Sequence, residues 1–257
     1  MQPLCLISID GLRPELILNQ DCSFLFNLSQ KGRFTTARSV YPPITLPCFC
    51  ALFFGISPLK HGIFYNEIPK NYSIHYPNLF QVLAQKGLKT GVFFNWEPLQ
   101  KSFGNLKDID WFGLEKDLTL KGDARSLSQA LDYAQKRAPD FIFIYIGALD
   151  EIGHQYGWMS NQYLDAAREI DKLVQEFVPN LPQYKFILHS DHGGFEFGHY
   201  VDLPEIMTIP LIFYNFDLKP DLTLNHPSLL DLAPTIATHF NCPVPESWEG
   251  KNLFKKN

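Results

Sequence analysis

Apolar runs and amphipathic stretches alternate along almost the whole of this 257-residue chain. Leu4–Ile9, Arg33–Val40, Lys89–Phe94, Phe141–Ile146, Tyr184–Leu188 and Leu211–Tyr214 have the length and side chains of strands. Between them lie helical stretches: Ser23–Gln30 ended by Gly32, Pro47–Phe54 with Pro47 in its first turn and Gly55 at its exit, and Pro77–Lys86 stopped at Gly87. Ser126–Arg137 repeats apolar residues at helical spacing through Leu127, Ala130, Leu131 and Ala134, and helices are expected near Tyr163–Phe177 and over Ser228–Phe240. Near-continuous apolar strands are those buried on both faces. Their alternation with helices predicts an α/β sandwich, a mostly parallel central sheet with helices on both faces. No linker or repeat divides the chain, so residues 1–257 are expected to form a single domain. Residues 95–122 are the least regular. They suit a small insert that covers the site or, equally, a surface excursion packed by its own aromatics, Trp96, Phe103, Trp111 and Phe112.

Three apolar runs lead into an aspartate: Leu4–Ile9 into Asp10, Phe141–Leu149 into Asp150, and Lys185–Ser190 into Asp191. The carboxyl ends of parallel strands are where open α/β sheets carry their chemistry. Asp150 and His154 are four residues apart, with Gly153 allowing a sharp turn, so both can reach one ion from a helix or a loop. Asp191-His192 precedes Gly193-Gly194, which let the backbone approach closely, and His199 follows seven residues after His192. Each element alone is commonplace, a capped turn or a satisfied polar residue. Together, three carboxylates on one sheet edge repel one another unless positive charge sits between them, which points to a metal site for more than one ion. Thr45, just before a helix start, is either an N-cap or a hydroxyl aimed at the metals from a helix N-terminus; the two roles share one geometry.

Composition narrows the classes. The hydrophobic fraction of 46% supports a substantial core, and a net charge of −5 gives no electrostatic case for a nucleic-acid polymer or an anionic membrane. No apolar stretch has transmembrane length, and MQPLCLISID lacks the pattern of a secretory leader, so a cytoplasmic protein is the default expectation. Five cysteines, with Cys48-Phe-Cys50 the one close pair, read as buried reduced thiols, and Lys255-Lys256 as a solvated end.

Five motifs in order carry a resemblance. Asp10-Gly-Leu-Arg-Pro, Tyr41-Pro-Pro-Ile-Thr45-Leu-Pro, His61-Gly-Ile-Phe-Tyr-Asn66, Asp150-Glu-Ile-Gly-His154 and Ser190-Asp191-His192-Gly-Gly resemble the nucleotide pyrophosphatase/phosphodiesterase family of the alkaline phosphatase superfamily, and Asp231-Leu-Ala-Pro-Thr looks like its C-terminal segment. The resemblance covers nearly the whole chain. It implies an alkaline-phosphatase-like sandwich and two divalent ions, zinc first, with manganese also compatible with mixed Asp/His ligands. One ion would lie on Asp150, His154 and His199; the other on Asp10, Asp191, His192 and Thr45, the nucleophile. The short gap before His199 implies a reduced capping segment. Three carboxylates and an alkoxide, about four negative charges, match two divalent cations. Asn66 would hold a phosphoryl oxygen. Tyr145 matches a tyrosine that stacks a nucleotide base, whereas Leu46 stands where the family has the partner aromatic.

The implied activity is cleavage of phosphodiester or pyrophosphate bonds in a small phosphorylated substrate, a nucleotide among the candidates, through a phospho-threonine intermediate. The alternatives are a phosphomonoesterase, a phosphonate hydrolase or a phosphotransferase of the same superfamily, and a non-catalytic zinc-binding domain. The chain has no Cys-x-Pro-x-Arg sequence, which argues against a formylglycine sulfatase. Arg13 stands near Asp10 but could simply shape the turn, and no other arginine is identified that would neutralise a monoester dianion.

Overall fold

The computed structural model describes residues 1–70, 72, 74–103, 106, 109–113, 116–218, 224 and 226–254; Lys255-Lys256 falls outside the described residues. In chain order the elements are β1 (Leu4–Ile9), α1 (Glu15–Leu18), α2 (Ser23–Lys31), β2 (Arg33–Arg38), α3 (Thr45–Phe54), α4 (Pro58–His61), α5 (Leu79–Gln85), β3 (Thr90–Phe94), α6 (Pro98–Phe103), β4 (Ile109–Gly113), α7 (Leu120–Arg137), β5 (Phe141–Ile146), α8 (Ala148–Tyr156), α9 (Asn161–Phe177), β6 (Lys185–His189), α10 (Pro204–Met207), β7 (Thr208–Tyr214) and α11 (Leu232–His239).

The strands form one sheet in the order β2-β7-β6-β1-β5-β3-β4. β6, β1, β5, β3 and β4 run parallel, and β7 is antiparallel to both β6 and β2. β1 shows why helices cover both faces: Leu4 and Leu6 join one buried cluster with α3, α5 and α11, while Cys5, Ile7 and Ile9 join another with α2, α7 and α9. Side chains alternate across a strand, so a wholly apolar strand needs an apolar layer on each side.

Most boundaries fall where the sequence places them, and the departures have local causes. α3 begins at Thr45 rather than Pro47, because Ile44 is the extended N-cap residue; its C-cap Gly55 has φ +62°. α7 begins six residues before the expected Ser126, capped by the Thr119 hydroxyl, which accepts from the Gly122 N–H. Residues 95–122 contribute α6 and the edge strand β4, which pairs in parallel with β3. Their aromatics reach the core: Phe103 lies 5.0 Å from Phe53 and Trp111 5.7 Å from Phe80, both edge-on. All five cysteines are free and buried. Among the described residues no helix is long and apolar enough to cross a membrane.

Candidate metal centre

β6, β1 and β5 are adjacent, so the segments leaving their carboxyl ends converge. Asp10 follows β1 directly, and its N–H donates to the Ile146 carbonyl at 2.9 Å. Gly11 then turns the chain with φ +72°; a side chain there would stand 3.2 Å from the Asp150 Cα, so only glycine lets this turn pass beneath α8. Asp191 stands two residues beyond His189, the last residue of β6. Its Oδ1 accepts from the Gly11 N–H at 3.4 Å, and its carbonyl accepts from the Ser39 hydroxyl. His192 Nδ1 donates to the Gly193 carbonyl at 2.9 Å. Its Nε2 faces Asp10 Oδ1 and Asp191 Oδ2, each at 3.3 Å, and Thr45 Oγ1 at 3.4 Å. Thr45 is the first residue of α3 and caps nothing, so the N-cap role open to it from sequence belongs to Ile44.

The other half of the centre is built differently. Asp150 does not end a strand: β5 stops at Ile146, Gly147 turns, and Asp150 is the third residue of α8. His154 is one helical turn on, so both side chains lie on one face. Gly153 makes no turn there. It is helical, and a Cβ would meet the Trp158 ring at 2.7 Å; at Gly194 the same ring would be 2.0 Å away. Trp158 is thus wedged between two glycine backbones, with Nε1 donating to the Gly11 carbonyl at 3.0 Å and its ring edge-on to His154 and His199. The short gap before His199 closes through a tight hairpin in which Phe195 and Gly198 exchange N–H···O bonds and Glu196 has φ +51°. That hairpin delivers His199 Nε2 to 3.0 Å from His154 Nε2 and 3.6 Å from Asp150 Oδ1, while His154 Nε2 is 3.5 Å from Asp150 Oδ2.

Hydrogen bonding fixes what these atoms can do. The Nδ1 atoms of His154, His192 and His199 each meet a backbone carbonyl, of Phe197, Gly193 and Pro43 respectively, at 2.9, 2.9 and 2.6 Å. A carbonyl only accepts, so each Nδ1 carries the proton and each Nε2 presents a lone pair inward. Burial holds His192 at about 3 and drives His199 down further, so both stay neutral. Two facing Nε2 lone pairs at 3.0 Å repel unless a cation lies between them. The carboxylates make the same demand. Burial first, then mutual repulsion, pushes Asp10 and Asp150 well up and Asp191 up to about 7. Asp10 Oδ1, Asp150 Oδ1 and Asp191 Oδ2 are buried without a hydrogen-bond donor. Among the described residues two donor groups have ligand atoms within 4.8 Å of one another, Asp150/His154/His199 and Asp10/Asp150/His192, with Asp150 common to both. Neutral imidazole nitrogens and unsatisfied carboxylate oxygens are the donor set that suits a borderline divalent ion such as zinc.

The remaining candidates divide. Asn66 lies beside the first turn of α3, its Oδ1 accepting from the Leu46 N–H at 2.9 Å, which commits the amide oxygen and leaves the NH2 as donor. Leu46 is wholly buried and offers no face to a substrate. Tyr145 is also buried, packed edge-on to Phe49 at 5.4 Å, with its hydroxyl donating to Asp10 Oδ2 at 2.5 Å. It orients a carboxylate rather than stacking a base. Arg13 is turned away, its guanidinium on Glu15 and on the Gly194 carbonyl.

Asp123 escapes the motif reading altogether. This fully buried carboxylate on α7 accepts from the Gly147 and Ala148 N–H groups at 3.0 and 3.1 Å and from Asn95 Nδ2 at 2.8 Å. It therefore caps the helix that carries Asp150 and His154. The signal was present: Asp123, Leu127, Ala130 and Ala134 share the apolar face of α7, where an acid has no place unless it is bonded.

Comparison with known proteins fits this geometry. A family model described as type I phosphodiesterase / nucleotide pyrophosphatase matches residues 4–208. Venom phosphodiesterase 2 of Crotalus adamanteus is 25% identical over 217 residues, covering 74% of this chain and 26% of the relative. The chain thus spans about a quarter of the length of the curated relatives it matches. The solved structure of murine ectonucleotide pyrophosphatase / phosphodiesterase 5 superposes with a TM-score of 0.80 at 13% identity, over 99% of this chain and 100% of that one. An inactive variant of it in complex with AMP gives 0.80 at 12% identity, over 97% and 98%. At such identities these likenesses speak for the fold, which is alkaline-phosphatase-like.

Proposed function

The chain belongs to the type I phosphodiesterase / nucleotide pyrophosphatase family, and from that premise we propose that it hydrolyses phosphodiester or pyrophosphate bonds through a phospho-threonine intermediate on Thr45. The observation that carries the proposal is the position of Thr45 Oγ1. It stands at the N-terminus of α3, 3.4 Å from an imidazole nitrogen that two buried carboxylates also face. In this reading Asp10, Asp191, His192 and Thr45 hold one divalent ion, and Asp150, His154 and His199 hold a second. Bound there, such ions lower the pKa of a coordinated hydroxyl and offset charge on a transferring phosphoryl group.

The chain's own groups then have defined tasks. Thr45 Oγ1, its proton released to solvent, bonds to phosphorus in line as the bond to the leaving oxygen breaks, and that oxygen leaves with the electron pair and takes a proton from water. The leaving oxygen departs on the face opposite Thr45, toward Asp150, His154 and His199. The Asn66 NH2 donates to a non-bridging oxygen. Water then cleaves the phospho-threonine from the side the leaving group vacated. Diesters are favoured because Arg13, the cation nearest Asp10 in sequence, is bound to Glu15 and a carbonyl, away from a monoester dianion. Nucleotides are among the proposed substrates, supported by the AMP complex of the murine relative, although neither Tyr145 nor Leu46 has a ring or face free to hold a base.

The test is kcat/KM of zinc-loaded protein on bis-p-nitrophenyl phosphate and on p-nitrophenyl phosphate, with Thr45→Ala alongside. The diester should be preferred, and Thr45→Ala should abolish turnover while most of the metal stays bound. A monoester preference would overturn the diester reading; near-normal turnover by Thr45→Ala would overturn the nucleophile.

A further inference from the structure

The face of the centre toward which the leaving group departs carries a feature that metal ligation does not use. The His192 and His199 rings are stacked, centroids 3.8 Å apart and planes 14° apart, and Tyr200 stacks on His199 at 5.0 Å and 26°. Tyr200 also lies 6.3 Å from His154, nearly parallel at 28°. Exposure along this column goes from 0% at His192 through 2% at His199 to 60% at Tyr200. One face of the Tyr200 ring therefore rests on ligand imidazoles while much of the ring is open to solvent. Two further exposed aromatics adjoin the same ligands. Phe197, 63% exposed, supplies the carbonyl that holds His154 Nδ1, and Tyr156, 44% exposed, is two residues beyond His154.

In-line displacement gives this placement a direction. With Thr45 attacking from the buried side, the leaving oxygen emerges beside His154 and His199, and whatever it carries extends past Tyr200. Resting on the reading above, we propose that Tyr200 is a specificity-determining platform whose open face stacks on a planar aromatic leaving group. Substrates that expel an aryl or other flat aromatic alcohol are selected over those that expel an aliphatic one. The base-stacking position expected at Tyr145 and Leu46 is shut in the core, and this platform lies on the other side of the phosphorus.

The test compares two methyl phosphodiesters with leaving groups of similar acidity, methyl 4-chlorophenyl phosphate and methyl hexafluoroisopropyl phosphate, on zinc-loaded wild type, Tyr200→Ala and Tyr200→Phe. Taking the ratio of the two substrates cancels any change in metal occupancy. Tyr200→Ala should lose about tenfold in kcat/KM on the aryl diester and less than about twofold on the alkyl one, and Tyr200→Phe should match wild type on both. Equal losses on the two diesters would overturn the platform, leaving Tyr200 a cover for the histidines. Binding supplies a readout that needs no turnover: wild type should bind phenylphosphonate more tightly than methylphosphonate, a preference that Tyr200→Ala removes. A preference that survives the substitution overturns the platform. A wild type that turns over neither diester yet shows the Tyr200-dependent binding preference would strike the hydrolase reading and keep the platform.

Discussion

Asp10, Asp191 and His192 stand at the ends of two neighbouring strands and are at most 1% exposed, whereas Asp150 and His154 share one face of a nine-residue helix and meet His199 on a hairpin, with 30% of the His154 side chain in solvent. The buried half takes its geometry from the sheet: β1 and β6 are held by ladder hydrogen bonds along their lengths, and the residues that leave them inherit that precision. The open half depends on two weaker devices, a carboxylate that caps α8 and a four-residue hairpin. Candidate metal ligands gathered on one edge are therefore positioned by devices of different kinds. In the proposed mechanism the leaving group departs over the half that rests on these two local devices.

Substituting one histidine in each half probes that difference most severely. His192→Ala leaves Asp10 and Asp191 buried without the imidazole they share. Turnover should fall by more than about a thousandfold, and metal bound after desalting should drop in the buried half. His199→Ala removes an Nε2 from the open half alone, so the protein should keep about one equivalent of metal. Metal analysis by mass spectrometry decides. Full stoichiometry in His199→Ala, or one equivalent retained at the buried half in His192→Ala, would break the comparison.

Chelation tests both halves together and has a predictable pH dependence. Complete metal removal should lower Tm by about 10 °C. The drop should be larger at pH 8 than at pH 6. Without metal the folded Asp191 has a pKa of about 7, above its unfolded value, and Asp10 and Asp150 are raised as well. A raised carboxyl contributes stability below its unfolded pKa, and that contribution is lost as pH rises through the folded value. The metal-free protein is thus penalised progressively toward pH 8. His192 and His199 have lowered values and are neutral when folded at both pH values, so their linkage is common to the loaded and stripped forms and cancels. Scanning calorimetry with and without chelator at the two pH values would show a wider gap at pH 8; an unchanged Tm after stripping would remove the metal centre altogether.

The buried half was also the more legible in sequence, for the same physical reason. An apolar run ending in an aspartate reports a strand terminus directly, so Asp10 and Asp191 announce their positions. Asp150 lies four residues beyond its strand, inside a helix whose start depends on Asp123, some two dozen positions earlier; no local pattern joins them. Tyr145 illustrates a different gap. Its strand was evident, but a strand residue points to one of two faces, and whether its ring is enclosed depends on Phe49 arriving from α3. Gly153 suggested a turn and Gly194 a close backbone approach; Trp158 supplies the reason for both missing side chains.

Asp123→Asn should weaken the open half selectively. The carboxylate accepts three hydrogen bonds, two of them from the first amides of α8. An amide has a single acceptor oxygen, so its NH2 would face a backbone N–H across the cap. The expected cost is about 1–3 kcal/mol in stability and about 10- to 100-fold in affinity for the open-half metal, with the buried-half affinity unchanged. Burial raises the Asp123 carboxyl to about 6, so the defect should be fully expressed at pH 8, where the wild-type group is ionised. Equal loss from both halves in a zinc titration would show that α8 is not positioned separately from the strand ends.

The smallest expected effect carries the finest distinction, because it separates two roles for one ring. Tyr145 donates to Asp10 Oδ2, while Asp10 Oδ1 faces His192 Nε2. The hydrogen bond lowers the Asp10 pKa against the burial that raises it. Tyr145→Phe keeps the ring and its packing on Phe49 and removes only the hydroxyl, so no cavity of consequence forms. Asp10 then loses a donor in a buried setting. Stability should fall by about 1 kcal/mol, and buried-half metal affinity by about tenfold, leaving the open half as it was. If the ring acted as a stacking surface, the same substitution would be silent, since phenylalanine presents the same face. A shift confined to the first metal equivalent, with KM for a nucleotide diester unchanged, is therefore the signature of a residue that orients a carboxylate. A silent substitution would strike the carboxylate-orienting role.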